Sequence, residues 1–143
     1  MAYLWDPSLE TGHAKIDGQH KQLISALNSI IDSSREGKGK DEIFKTLDFL
    51  TGYTVMHFST EEKLQTQYEY PDYLIHKRYH DEFKGTVGEL TQRLINEGPT
   101  EEVIGVVTTT IGNWLLNHIK GDDFRMAAYV KAKGDPSAVN AQL

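Results

Sequence analysis

His57 and Glu61 stand four residues apart, and so do His76 and His80. On an α-helix that step turns the chain about 40° past a full circle, so both members of each pair leave from one face. Imidazole and carboxylate groups sharing a buried face are candidate metal ligands. A buried carboxylate among buried imidazoles costs several kcal/mol unless it is paired or holds a cation.

The elements that must position these residues follow from apolar periodicity. Ile43, Leu47, Leu50, Thr54, His57, Glu61 and Leu64 recur at steps of three and four, which predicts a helix ending near Gln65. Tyr73, His76, His80, Phe83, Val87, Leu90 and Leu94 predict another, with Pro71 in its first turn and a stop at residues 96–99. Both ligand pairs lie on the apolar lines. An earlier helix from about 17 to 35 carries Ile16, His20, Leu23, Leu27, Ile30 and Ile31. A later one carries Ile104, Val107, Ile111, Trp114 and His118.

Local signals mark the ends. Residues 36–40 (EGKGK) form a turn, Asp41 is expected to cap the second helix, and Thr100 the fourth, with Glu101 and Glu102 complementing its dipole. Gly121 should end that helix, with a short one following from about 122 to 133. Residues 1–15 contain Pro7, Gly12, Leu4 and Trp5 with little periodicity, which predicts an ordered arm lying across the helices. His13 falls in that arm, outside the pattern, and is expected at the surface. The expected fold is all-α: an up-down-up-down four-helix bundle with an N-terminal arm and a short C-terminal helix. One domain spans residues 1–143, with the arm at 1–15, the helical bundle at 16–133 and a flexible tail at 134–143.

Composition narrows the chemistry. A formal net charge of −6 over 143 residues argues against nucleic acid and anionic membrane surfaces as partners. No run of about 18 apolar residues predicts insertion into a membrane, and no signal-peptide pattern opens the chain, which fits a cytoplasmic protein. Without cysteine there are no disulfides, thiolate zinc sites or iron–sulfur clusters, so any metal is held by histidine and carboxylate.

Five of the six histidines fall on the inward lines of four different helices, with Glu61 among them. Five imidazoles and a carboxylate exceed what one zinc takes and suit two ions. Imidazole favours iron, copper, zinc or nickel, and a carboxylate inside a bundle favours a di-iron centre. The usual di-iron carboxylate bundle places Glu-x-x-His on two helices, a pattern absent here. A nitrogen-rich, carboxylate-poor set places less negative charge on the metals and favours binding dioxygen over activating it. From spacing alone, Asp122 is the residue that shares a helical face with His118, while Asp123 points about 140° away.

Four segments of this chain, Ile16-Asp17-x-Gln19-His20-Lys21, His57-Phe58-x-x-Glu61-Glu62, Tyr70-Pro71-x-x-x-x-His76-x-x-x-His80 and Trp114-Leu115-x-x-His118-Ile119-x-x-x-Asp123-Phe124, resemble the bacterial hemerythrins in spacing and order over roughly residues 5–130. The resemblance implies that His76, His80 and His118 ligate one iron and His20 and His57 the other. Glu61 and Asp123 would bridge both, with an oxo or hydroxo group as third bridge. Its pattern selects Asp123 over Asp122, with Gly121 ending the helix between the two ligands. The first iron would then be six-coordinate and the second five-coordinate, with one position for dioxygen. Glu62 is expected as a solvated carboxylate or one behind a ligand. Phe58, Trp114, Leu116 and Ile119 flank ligands and are candidates to wall the open position against water.

The function implied is reversible dioxygen binding for carriage, storage or delivery, without enzymatic turnover beyond a weak peroxidase or oxidase activity. An alternative is an oxygen- or redox-sensing domain coupled to a signalling module, since such domains also occur attached to bacterial signalling proteins; an acceptor protein is a further possible partner. A peroxidase is a third reading, with Tyr70, Tyr73 and Tyr79 near a ligand helix as its only extra donors.

Overall fold

The structure is a computed structural model that describes residues 3–135. Four long helices, α1 (Ala14–Arg35), α2 (Lys40–Gln67), α3 (Tyr73–Glu97) and α4 (Glu101–His118), form a four-helix bundle, and α5 (Phe124–Ala132) follows. α1 packs against α2 and α4, and α3 packs against α2 and α4, so the four close a ring around one core. Leu23, Leu27, Ile30, Leu47, Leu50, Val87, Leu94, Val107 and Ile111 fill the half of the bundle away from the histidines. Each fully buried side chain of this size contributes roughly 1.5–3 kcal/mol, enough to hold a polar centre at the other end. Among the described residues no helix is long and apolar enough to cross a membrane.

The helix ends show where local chemistry differs from the simple pattern. Thr100 caps α4 as expected, its hydroxyl accepting from the Val103 amide at 3.2 Å. Asp41 does not cap α2. That helix starts at Lys40 behind Gly39, which places Asp41 inside the first turn with Glu42, where its charge meets the helix dipole but its side chain is past the cap position. α3 ends at Gly98, whose φ of +83° lies in the left-handed region that glycine enters without penalty.

α4 does not end at Gly121. Residues Ile119–Asp123 continue the helix as a π turn, with the Phe124 amide reaching back to the Ile119 carbonyl, and α5 follows without a break. Gly121 therefore sits within a continuous but widened helix. α5 places Met126 and Val130 against Ile16 and Tyr70, closing the bundle beside the histidines.

The N-terminal arm lies across the helices. The Tyr3 amide donates to the Asn28 side-chain oxygen at 2.7 Å and the Asn28 amide returns a bond to the Tyr3 carbonyl at 2.6 Å. The Tyr3 ring covers Gly112 of α4, a position where any Cβ would collide with it. Trp5 packs on the core with the Lys21 ammonium 5.3 Å from its ring centre.

His13 is not at the surface. It is fully buried, because α1 begins three residues before Asp17 and His13 is its N-cap. Its Nδ1 accepts from the Ile16 amide at 3.3 Å, and its Nε2 pairs with the Asp135 carboxylate. Asp135 also accepts from the Tyr68 hydroxyl at 3.2 Å. The first two residues of the expected loose tail, Gly134 and Asp135, are thus fixed; the remainder, 136–143, lies outside the described residues.

Candidate metal centre

Every helix of the ring sends ligand-type side chains to one buried point. α1 supplies His20, α2 His57 and Glu61, α3 His76 and His80, α4 His118, and the π turn Asp123. None of the seven is more than 4 % exposed.

They divide into two clusters. In the first, the Nε2 atoms of His76 and His80 each lie 3.1 Å from that of His118. Glu61 Oε1 is 3.2 Å from His76 and 3.1 Å from His80, and Asp123 Oδ1 is 3.1 Å from His76 and 3.2 Å from His118. In the second, His57 Nε2 lies 3.1 Å from Glu61 Oε2, and His20 Nε2 lies 2.9 Å from Asp123 Oδ2 and 3.5 Å from Glu61 Oε2. Each carboxylate therefore offers one oxygen to each cluster, and within a cluster all donor atoms lie within 4.8 Å of one another.

Five of the converging donor atoms are left unsatisfied. His20 Nε2, His57 Nε2, Glu61 Oε2 and both Asp123 oxygens are buried and make no hydrogen bond. His118 Nε2 lies 3.1 Å from two other imidazole nitrogens, and with Nδ1 protons turned to Glu62 and Asp122, His80 and His118 face each other through lone pairs. Burial on this scale persists in native folds when something compensates it, and lone pairs converging from five nitrogens and two carboxylates fit cations held between them.

Asp123 reaches this point because of the π turn. Five residues instead of four separate it from His118, so it would leave a regular α-helix on another side; the wide turn brings it onto the face of His118. Asp122 stays outside, its Oδ2 2.9 Å from Nδ1 of the same imidazole.

Electrostatics record the same crowding. Burial disfavours the charged imidazoles, yet the Asp123 and Glu61 carboxylates beside them outweigh it and push His20 and His76 each up to about 9. For His118, burial is likewise outweighed, by Asp123 and by Asp122, and the result is about 10. Burial and mutual repulsion raise Asp123, but His118 and His20 more than offset them and hold it low. Glu61 is held well below its ordinary range, against its burial, by His57 and His20.

Aromatic rings fix the imidazoles. Phe58 stacks on His80 at 3.7 Å and 3°, and Trp114 stacks on His118 at 4.3 Å and 18° with Phe83 against its other side. Phe58 and Ile119 are buried, while Trp114 and Leu116 are half-buried and pack on the same core. A groove of about 220 Å³ lined by Tyr79, Trp114, Asn117, His118 and Asp122 approaches the centre from solvent. A cleft of about 60 Å³ reaches His76 between Tyr70, Tyr79 and Arg125. Tyr73 is half-buried and lines neither. Two larger grooves, of about 570 and 580 Å³, lie along α2 and touch none of the seven residues, so size does not mark this site.

Periodicity did not reveal the residues behind the clustered histidines. Gln19 Oε1 accepts from His57 Nδ1 at 2.7 Å, and Glu62 Oε2 accepts from His80 Nδ1 at 2.9 Å. Gln19 stands beside His20 in sequence but serves the histidine of another helix, a pairing that only the packed bundle creates.

Residues 11–130 match the family description "Hemerythrin HHE cation binding domain". The bacteriohemerythrin of Stenotrophomonas maltophilia (strain R551-3) is 34 % identical over 133 residues, covering 92 % of this chain and 84 % of that protein. That of Methylococcus capsulatus (strain ATCC 33009 / NCIMB 11132 / Bath) is 37 % identical over 103 residues, 72 % of this chain and 76 % of that protein. A crystal structure of wild-type hemerythrin superposes with a TM-score of 0.80 at 31 % identity, covering 91 % of this chain and 98 % of that one.

Proposed function

This chain belongs to the hemerythrin family, and from that premise we propose that it binds dioxygen reversibly at a non-haem di-iron centre, as a carrier, store or delivery module. The observation that carries the reading is the pair of buried donor clusters sharing Glu61 and Asp123, with five of their atoms making no hydrogen bond.

In this reading His76, His80 and His118 would hold one iron and His20 and His57 the other, with Glu61 and Asp123 offering an oxygen to each. When bound, the iron pair supplies reversible two-electron chemistry toward dioxygen. The chain supplies the asymmetry: three imidazoles face one position and two face the other, so the protein leaves fewer donors on the His20–His57 side. Phe58 and Trp114, stacked on His80 and His118, together with the core residues Leu116 and Ile119 exclude water from the centre, which limits protonation and irreversible oxidation. Donation by neutral imidazoles with only two carboxylates keeps the centre poor in negative charge, which favours binding over oxidative turnover.

The test is to load the metal-free protein with ferrous iron under anaerobic conditions, expose it to air, then evacuate, recording metal content and absorption. Two irons per chain, and a charge-transfer band that appears in air and vanishes under vacuum, are expected. One iron or none, or a band that vacuum does not reverse, would overturn the reading.

A further inference from the structure

The outer nitrogens of the clustered histidines are held in unlike ways. In the three-histidine cluster, His80 Nδ1 donates to Glu62 at 2.9 Å and His118 Nδ1 donates to Asp122 at 2.9 Å, so two of the three imidazoles are backed by carboxylates. In the two-histidine cluster, His57 Nδ1 donates to the neutral amide of Gln19 at 2.7 Å, and His20 Nδ1 is buried with no hydrogen-bond partner. The Gln19 orientation is fixed from its other end, where Nε2 donates to Thr60 Oγ1 at 3.3 Å and faces Met56 Sδ at 3.6 Å. Its oxygen is therefore the atom that meets His57.

A hydrogen bond from the outer nitrogen locks the tautomer that leaves Nε2 as the donor, and an anionic acceptor makes that donor more basic than a neutral one does. Glu62 and Asp122 keep their carboxylates near the rim, with side chains 18 % and 21 % exposed, so hydration carries part of the cost of their charge. Arg125 pairs with the second oxygen of Asp122 and holds it against His118. Gln19 is 8 % exposed, a position where a carboxylate would be costly unless it served a cation.

Resting on the di-iron reading, we propose that Glu62, Asp122 and Gln19 are positioning residues that grade the two metal positions, the carboxylates making the three-histidine position the electron-rich, tightly binding one and the amide keeping the two-histidine position electron-poor. The vacancy expected on the two-histidine side then faces the more Lewis-acidic of the two ions.

A charge exchange tests this. Cobalt(II) uptake by the metal-free chain is titrated against a competing chelator, and the midpoint potential of the iron-loaded protein is measured, for wild type, Glu62→Gln and Gln19→Glu. Glu62→Gln should weaken the tighter binding step about 10- to 100-fold, leave the weaker step in place and raise the midpoint potential. Gln19→Glu should strengthen the weaker step and lower the potential. Asp122→Asn repeats the first measurement if Glu62→Gln does not fold, and Glu62→Asp should restore part of the lost affinity. Potentials moving in the same direction for both exchanges, or Gln19→Glu weakening metal uptake, would overturn the proposal and leave the di-iron reading standing. Wild-type protein taking up fewer than two cobalt ions would remove both.

Discussion

His118 grips two consecutive aspartates with opposite edges of one ring: Nδ1 lies 2.9 Å from Asp122 Oδ2, and Nε2 lies 3.2 Å from Asp123 Oδ1. Neighbours in sequence are thus sorted to different sides of one imidazole by the π turn between them and it. The sorting predicts unequal consequences for the same chemical change. Asp123→Asn should drop iron content from two per chain to one or none, because it removes the charge of a carboxylate facing both clusters. Asp122→Asn should keep two. Metal analysis after gel filtration decides it; equal losses from both variants would count against the assignment.

The metal-free protein should have an unusual pH profile. His20, His76 and His118 bind protons more tightly folded, at about 9, 9 and 10, than at the ordinary value of 6.5. Their contribution to stability is complete below pH 6.5 and disappears as the pH climbs through 9 to 10. The melting temperature in excess chelator should therefore fall across that window. Metal must displace the same protons, so apparent metal affinity should rise with pH over the same range. A melting temperature constant from pH 6.5 to 10 would contradict the protonated cluster.

Ile119 is completely buried in the turn immediately after His118. Ile119→Glu should lower stability by several kcal/mol, as for any carboxylate without a partner, and should speed autoxidation by bringing a proton-bearing, hydrated group toward the centre. Autoxidation followed spectroscopically is the measure, with Ile119→Leu as the control for shape. An unchanged rate in a folded Glu variant would exclude Ile119 from the wall.

The buried pair of His13 and Asp135 predicts a coupled loss of stability. His13→Ala removes a helix cap and leaves Asp135 without its imidazole partner, which should cost about 3 kcal/mol. Adding Asp135→Ala should cost little more, because the two act as a unit. Strictly additive losses in urea melts would show that they stand apart.

These cases mark what the sequence carried. His20, His57, Glu61, His76, His80 and His118 lie on apolar lines of helical period, so their convergence was legible once each helix had been placed. Asp123 was not: five residues from His118, it needs a π turn, a hydrogen-bonding choice that no apolar pattern records, and only resemblance to a family singled it out. His13 was misplaced because histidine is an uncommon cap and its partner lies near the other end of the chain. Gln19 and Glu62 escaped periodicity because they serve histidines of neighbouring helices.

The widened turn converts a residue count into an angle. Everything after Asp123 is rotated by that one additional position, and the rotation aims Met126 and Val130 at Ile16 and Tyr70. Deleting Gly121 would therefore swing the lid of the bundle away from its seat in the same motion that moved Asp123 relative to its cluster. Shutting the open mouth of the barrel of helices and delivering the seventh donor are a single geometric decision, taken within five residues.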